Sequence, residues 1–150
     1  MTLPTTLSVD EARAELVGWL VAACAADGAL PAVPLEAENR VSIDLASAAA
    51  STPFICAEIE WMGGGQISLG KDPLARTNGI LMVAAKVKQG AGTAESLKLL
   101  ERVVPFLEGK DGTYVRTELA ALVGPATRAG WHLTVMQINF SADRISPSPA

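Results

Sequence analysis

The sequence predicts an α+β fold in which a mainly antiparallel, four-stranded sheet carries two helices packed on one face, in the order α-β-β-α-β-β. Two segments, which follow Ser8 and Thr93, place apolar residues at helical spacing. Four other segments are predicted as strands, and the alternation of apolar and polar residues is clearest in the first two. Gly-rich turns separate most of these segments.

The first helix is expected to run from Ser8 to about Ala26. Ser8 and Glu11 have the spacing of a capping box, in which hydroxyl and carboxylate each bond an otherwise unpaired amide. The predicted inward stripe consists of Leu16, Leu20 and Cys24, widened by Ala12, Trp19 and Ala23. Residues 17–26 are apolar on every side, so this half needs cover from the following loop or from another subunit.

Residues 29–52 carry a weaker pattern, with a polar patch from Glu36 to Arg40 and an Ala/Ser-rich run from Ser42 to Ser51. One short strand is expected near Arg40–Leu45. A stretch of this length without a clear pattern is usually functional or mobile.

A hairpin of two strands, Phe54–Met62 and Gly79–Lys88, is the clearest strand prediction. Its expected inward residues are Ile55, Ala57, Ile59 and Trp61 on the first strand and Leu81, Val83, Ala85 and Val87 on the second. The run Gly63-Gly64-Gly65 is expected to break the first strand. The residues from Gly63 to Asn78 would then form an oversized hairpin tip.

The second half of the chain predicts one more helix and two more strands. Thr93 is the expected N-cap, and Pro105 should kink the helix or end its regular part, because proline lacks an amide and clashes with the preceding turn. The buried stripe is expected at Leu97, Leu100, Val104 and Leu107. The third strand is placed at Thr113–Val123 and the fourth at Trp131–Phe140, with Gly124-Pro125 and Gly130 between them.

Length and composition point to one packed domain, which we assign to residues 1–143, with the Ser-Pro-rich residues 144–150 expected to be disordered. The chain has 150 residues, of which 49% are apolar and 19% charged, so it has the composition of a folded protein. Its net charge of −4 argues against a general nucleic-acid-binding surface. The longest uncharged apolar stretch, Leu16–Ala26, is about half a membrane span, and we expect a soluble protein of cytoplasmic origin.

No set of residues in the sequence predicts catalysis, a metal or a cofactor. His132 is the only histidine, and no nucleophile elbow accompanies it. Neither cysteine belongs to a C-x-x-C pair, and the triglycine run lacks the Lys-Ser/Thr of a phosphate loop. We therefore expect a protein that is not an enzyme. An alternative of another class is a small ligand-binding module or hydrolase that uses Glu58, Glu60 and His132.

Several short motifs, taken in order, resemble the tail terminator-like proteins of long-tailed bacteriophages and prophages. They cover roughly residues 8–143, and the Ser42–Ser51 run departs from the pattern as a longer connection. The motifs are Asn39, Pro53-Phe54-Ile55, Leu69-Gly70, Arg76-Thr77-Asn78-Gly79-Ile80-Leu81, Gly90-Ala91-Gly92-Thr93, Val123-Gly124-Pro125, Gly130-Trp131 and Ile138-Asn139-Phe140.

This resemblance implies a structural virion protein, assembled in the host cytoplasm, that forms a ring, typically a homohexamer, on the head-proximal end of the tail tube. The ring would end tube polymerisation and present a docking surface to the head-completion or stopper protein, while DNA would only pass through its lumen. An alternative of the same class is a head-completion or neck connector protein. No membrane partner and no cofactor are implied.

The hairpin tip and the outward charges beside it are the expected ring or partner interface. The residues assigned to this interface are Gly63, Gly64, Gly65, Lys71, Asp72, Arg76, Asn78, Lys86 and Lys88. In addition, the acidic pair Glu58 and Glu60 on one strand suits cross-strand pairing with Lys86 and Lys88 on the other.

Overall fold

The computed structural model describes residues 3, 9–26, 35–37, 54–70, 72–88, 93–128 and 131–145, and it confirms the α+β fold class. In chain order the elements are α1 (Val9–Ala26), β1 (Leu35–Ala37), β2 (Phe54–Gln66), β3 (Leu74–Lys88), α2 (Thr93–Val103), a 3₁₀ helix (Val104–Phe106), β4 (Arg116–Thr117), β5 (Ala121–Arg128) and β6 (Trp131–Ile145). Among the helices that the structure describes, none combines the length and apolarity needed to span a membrane.

The sheet is organised around the two long strands β3 and β6, which pair antiparallel from Leu74↔Ile145 to Lys88↔Trp131. β2 pairs antiparallel with the other side of β3, and the short β1 adds to β2 in parallel. β4 and β5 share the far side of β6. Among the described residues the sheet therefore has six strands rather than the predicted four, because β1 and β4 are too short to show a pattern in the sequence.

The described helices α1 and α2 both pack on one face of this sheet, as predicted, and an apolar core formed by described residues of both layers lies between them. The predicted inward residues of the hairpin all face it, since Ile55, Leu81 and Val83 are fully buried and Ile59 and Trp61 pack at its margin. Burying a side chain of this size contributes about 1.5–3 kcal/mol. Core formation therefore fixes which face of each strand points inward.

α1 contributes its predicted stripe to this core, with Ala12, Leu16, Leu20 and Ala23 fully buried. The capping residue Ser8 and the side chain of Cys24 lie outside the described part of the chain. Val21, by contrast, remains 48% exposed, so the apolar second half of α1 is only partly covered by the described elements.

α2 ends where Pro105 requires it to end, which confirms the prediction for this residue. The α-helix stops at Val103, and the 3₁₀ helix that follows contains Pro105 at its start. On the buried side, Ser96 Oγ and Thr134 Oγ1 share a hydrogen bond of 2.6 Å that joins α2 to β6. This bond satisfies two hydroxyls that would otherwise be buried without partners.

The triglycine run does not break the hairpin, so that prediction was wrong. β2 continues through Gly63 to Gln66 and remains paired with β3, which already begins at Leu74. A bulge between Trp61 and Gly63 absorbs the irregularity, and Gly63 adopts a φ of +88° that other residues rarely adopt. The hairpin turn is consequently much shorter than the predicted tip.

The third predicted strand, Thr113–Val123, was also wrong in its position. Within this range the structure has the two-residue β4 and only the start of β5, which runs from Ala121 straight through Gly124 and Pro125. A bulge between Leu122 and Gly124, where Gly124 has a φ of +121°, accommodates the turn-type residues. β5 pairs on one side only among the described strands, and an edge strand tolerates proline.

Two further boundaries differ from expectation. β6 extends past Phe140 to Ile145, so residues 144 and 145 belong to the sheet and not to a disordered tail, while 146–150 lie outside the described residues. The strand expected at Arg40–Leu45 also lies outside them. Within the preceding segment the structure instead forms β1, whose Glu36 belongs to the predicted polar patch.

Candidate interaction surface

The candidate surface begins with a three-stranded extension of the sheet, here called the arm, formed by residues 63–66 of β2, 74–78 of β3 and 141–145 of β6. None of its residues is buried, whereas the adjoining row contains the buried Gly79 and Phe140. The arm therefore extends beyond the core, and backbone pairing and local side-chain contacts hold it together. Five of the predicted interface residues lie in the arm: Gly63, Gly64, Gly65, Arg76 and Asn78.

The three glycines of the arm have different roles. Gly63 supplies the left-handed conformation of the bulge. Gly64 lies against β3 so closely that a Cβ atom would be 1.8 Å from the carbonyl oxygen of Arg76. At Gly65, a Cβ atom would meet no other atom within 4 Å. The close approach of β2 to β3 therefore requires glycine at position 64 and not at position 65.

Gly64→Ala should disrupt the pairing of β2 with β3 in the arm. Gly65→Ala, the same substitution one residue away, should leave this pairing intact. We expect faster amide hydrogen exchange in residues 74–78 of Gly64→Ala, with a loss of unfolding free energy of only about 1 kcal/mol, because the arm lies outside the core. Equal exchange rates in the two variants would contradict the close approach at Gly64.

An ion pair closes the arm on its outer side. The Arg76 guanidinium donates two hydrogen bonds to the Asp143 carboxylate, Nε to Oδ1 at 2.7 Å and Nη2 to Oδ2 at 2.8 Å. The hydrogen bond to Asp143 raises the pKa of Arg76 above its ordinary value, so the guanidinium group stays protonated. Arg76 was expected to contact another chain, but in the structure its guanidinium group joins β3 to β6 within the same chain.

Residues 67–70, here called the finger, form the start of the turn at the end of the arm. The Ile67 amide donates to the Leu74 carbonyl at 2.8 Å, and the Leu74 amide donates to Ser68 Oγ at 2.6 Å. Gln66 Nε2 donates to the Ser68 carbonyl at 2.7 Å. These bonds hold Leu69 with 92% of its surface exposed, beside Ile67 at 49%.

The charges near the finger match the prediction only in part. Asp72 is exposed in the turn, while Lys71 lies outside the described residues. Lys86 is only 8% exposed, so its side chain is not part of an open surface. The prediction that Lys86 belongs to an exposed interface was therefore wrong. The side chain of Lys88 lies outside the described residues.

The expected cross-strand charge pairing was wrong as well. Glu58 lies opposite Met82 and Glu60 opposite Ile80, so neither acid faces a lysine across the hairpin. The sequence pattern gave the correct face for both acids, but the register of the two strands depends on the bulge and the short turn.

The alternative site made of Glu58, Glu60 and His132 is not assembled. The two acids are exposed on the outer face of the sheet, whereas His132 lies opposite the inward-facing Val87. Its Nε2 atom is buried and has no hydrogen-bond partner among the described residues. Within the described ranges, no three His, Cys, Asp or Glu side chains lie close enough to hold a metal ion.

A second apolar surface, here called the edge patch, consists of Leu119, Leu122 and Val123 at the start of β5. Their exposed fractions are 75%, 56% and 53%. The backbone beside them is fixed, because the Glu118 amide donates to the Asn139 carbonyl at 2.9 Å and the Ala120 amide donates to Glu108 Oε2 at 2.8 Å. Sequence reasoning missed this patch, since apolar residues in a predicted strand are assigned to the interior by default.

Comparison with known proteins supports the fold only. No family model and no curated protein matches the chain. A solved structure, whose name does not describe a function, matches with a TM-score of 0.66 at 16% sequence identity, over 97% of this chain and 100% of that one. At this identity the likeness extends to the arrangement of helices and strands and carries no statement about activity or partners.

Proposed function

We propose that this chain is a structural virion subunit that forms a ring on the head-proximal end of a bacteriophage tail tube. One observation carries the proposal. Apart from Val21, the exposed large apolar side chains of the described residues fall into two groups, one on the β2–β3 hairpin and one on the edge patch. The two groups lie on opposite sides of β6.

Two different apolar surfaces on one chain are what a head-to-tail contact needs. In such a contact one patch of each subunit meets another patch of its neighbour, and repetition closes a ring when the rotation is suitable. Contiguous apolar surface on soluble proteins commonly marks an interaction site. A Leu69 that is held outward by three hydrogen bonds is consistent with a contact surface prepared before binding.

The position on the phage tail comes from the ordered motifs that resemble tail terminator-like proteins. In this role the ring ends polymerisation of the tail tube protein and offers its other side to the head-completion or stopper protein. The net charge of −4 is compatible with a lumen that lets DNA pass without retaining it. The subunit would assemble in the host cytoplasm and remain in the virion.

Tail length tests this proposal. In a phage that encodes this chain, replacing residues 68–72 by an Asn-Gly turn should leave a folded protein that no longer ends tail growth. We expect overlong tails and no infectious particles in electron micrographs and plaque assays. Lys98→Ala, a substitution of an exposed residue on α2, is the control and should give tails of normal length.

Two outcomes would contradict this proposal, the first its terminator role and the second the assignment of the contact to residues 68–72. Unjoined tails of correct length would indicate a neck connector protein, the alternative of the same class. Normal tails with infectious particles would show that residues 68–72 are not needed for assembly.

A further inference from the structure

We propose that the finger of one copy packs against the edge patch of the next copy, with Leu69 inserted beside Leu119 and Leu122. The contact is head-to-tail, and it specifies which two surfaces build the ring. This inference rests on the proposed function, because it assigns the subunit contact of that ring.

The two surfaces are too far apart to meet within one chain. The edge patch lies beside residues 136–139 of β6, since Leu122 pairs with Met136 and Glu118 bonds to Asn139. The finger lies beyond the row that joins Leu74 to Ile145. Six residues of β6 separate these positions, which corresponds to about 20 Å along the strand. Any contact between finger and edge patch is therefore a contact between copies.

Both surfaces are fixed before they meet. The hydrogen bonds of Ser68 and Ile67 define the finger, and those of Glu118 and Ala120 define the backbone of the edge patch. The entropy lost when flexible loops become ordered is a main free-energy cost of association, and this cost is small when both surfaces are already ordered. The free energy gained from removing leucine side chains from water then goes largely into association.

The edge of β5 favours a side-chain contact over the addition of another strand. The bulge at Leu122–Gly124 and the proline at position 125 both interrupt the regular row of backbone groups that strand addition requires. A turn that presents one leucine fits such an edge. A second copy of this chain is the occupant that the structure itself supplies, because it carries the matching apolar surface.

Mixing two variants tests the pairing. Leu69→Asp removes the finger contact, and Leu122→Asp removes the edge-patch contact, both at side chains that are more than half exposed, so folding should be unchanged by circular dichroism. In sedimentation velocity at millimolar concentration, we expect higher oligomers for the wild type. Each variant alone should be monomeric, with an association constant at least about tenfold lower.

The mixture gives the decisive result. A Leu69→Asp chain still has an intact edge patch, and a Leu122→Asp chain still has an intact finger, so one competent contact remains between them. We expect one-to-one dimers that do not grow further. Lys98→Asp, at an exposed site on α2, is the control and should associate like the wild type.

Three results would overturn the inference: a wild-type chain that remains monomeric at this concentration, a Leu69→Asp chain that associates normally, or a mixture that stays monomeric. None of these decides the proposed function, which is tested separately by tail length. Overlong tails together with a monomeric mixture would retain the terminator function and reject this contact.

Discussion

Replacing Gly79 by alanine is expected to lower the free energy of unfolding by about 3 kcal/mol. Gly79 lies in the middle of β3, between Trp61 on β2 and Phe140 on β6. A Cβ atom there would be 2.3 Å from Phe140 Cζ and 2.8 Å from the carbonyl oxygen of Glu60. Phe140 is 3% exposed and meets Trp61 edge to face with ring centroids 5.2 Å apart. The ring can move aside only by disrupting this aromatic pair and the core behind it.

Urea unfolding measures this effect, and Gly18→Ala provides the matched control. Gly18 is exposed on α1, and a Cβ atom there would meet no other atom within 4 Å. Because alanine is the better helix former, Gly18→Ala should raise stability by up to about 1 kcal/mol. If Gly79→Ala were as stable as the wild type, Phe140 would not occupy the space over Gly79.

Glu15→Ala should have a similarly large effect, also about 3 kcal/mol, because one carboxylate holds three backbone amides. Glu15 Oε2 accepts a hydrogen bond from the Thr113 amide at 3.0 Å, and Oε1 accepts from Tyr114 at 3.0 Å and Val115 at 3.1 Å. These bonds fasten the turn before β4 onto α1. Without the carboxylate, partly buried amides lose their acceptor and the turn separates from the helix.

Hydrogen exchange at residues 113–115 distinguishes this local role from a general loss of stability. The three amides should exchange much faster in Glu15→Ala under conditions where the core remains protected. Glu15→Gln retains one acceptor oxygen and should lie between wild type and Glu15→Ala. Glu11→Gln, at an exposed position one turn earlier, is the control for loss of charge on α1. Unchanged protection in Glu15→Ala would show that the turn is held by other contacts.

The faces of the strands were predictable from the sequence because the period of a strand is two residues and only one face of this sheet meets the helices. Ile55, Leu81 and Val83 are buried as their alternation indicates. The strand ends were less predictable, since glycine and proline act as breakers in isolation but are tolerated in bulges and at sheet edges. Gly63 and Pro125 both lie inside strands for this reason.

The candidate surface was only partly predictable. The glycines and Arg76 indeed lie together in the arm, but Arg76 bonds within the chain, and Lys86 is buried. The most exposed contact candidates, Leu69 and Leu119, carry no polar signal, and sequence patterns assign leucine to the interior. Their exposure depends on turn hydrogen bonds and on the position of β5 at an edge, which are tertiary features.

The central position of β6 has a consequence for synthesis. β6 pairs with β3, β4 and β5, yet it is the last of the described strands along the chain. During synthesis on the ribosome, one edge of β3 stays unpaired until β6 has been translated. The pairing of β3 with β6 then joins residues that are more than forty positions apart in the sequence. Long-range pairing of this kind slows folding and leaves an open strand edge during the delay. The nascent chain is thus most exposed to aggregation shortly before the sheet closes.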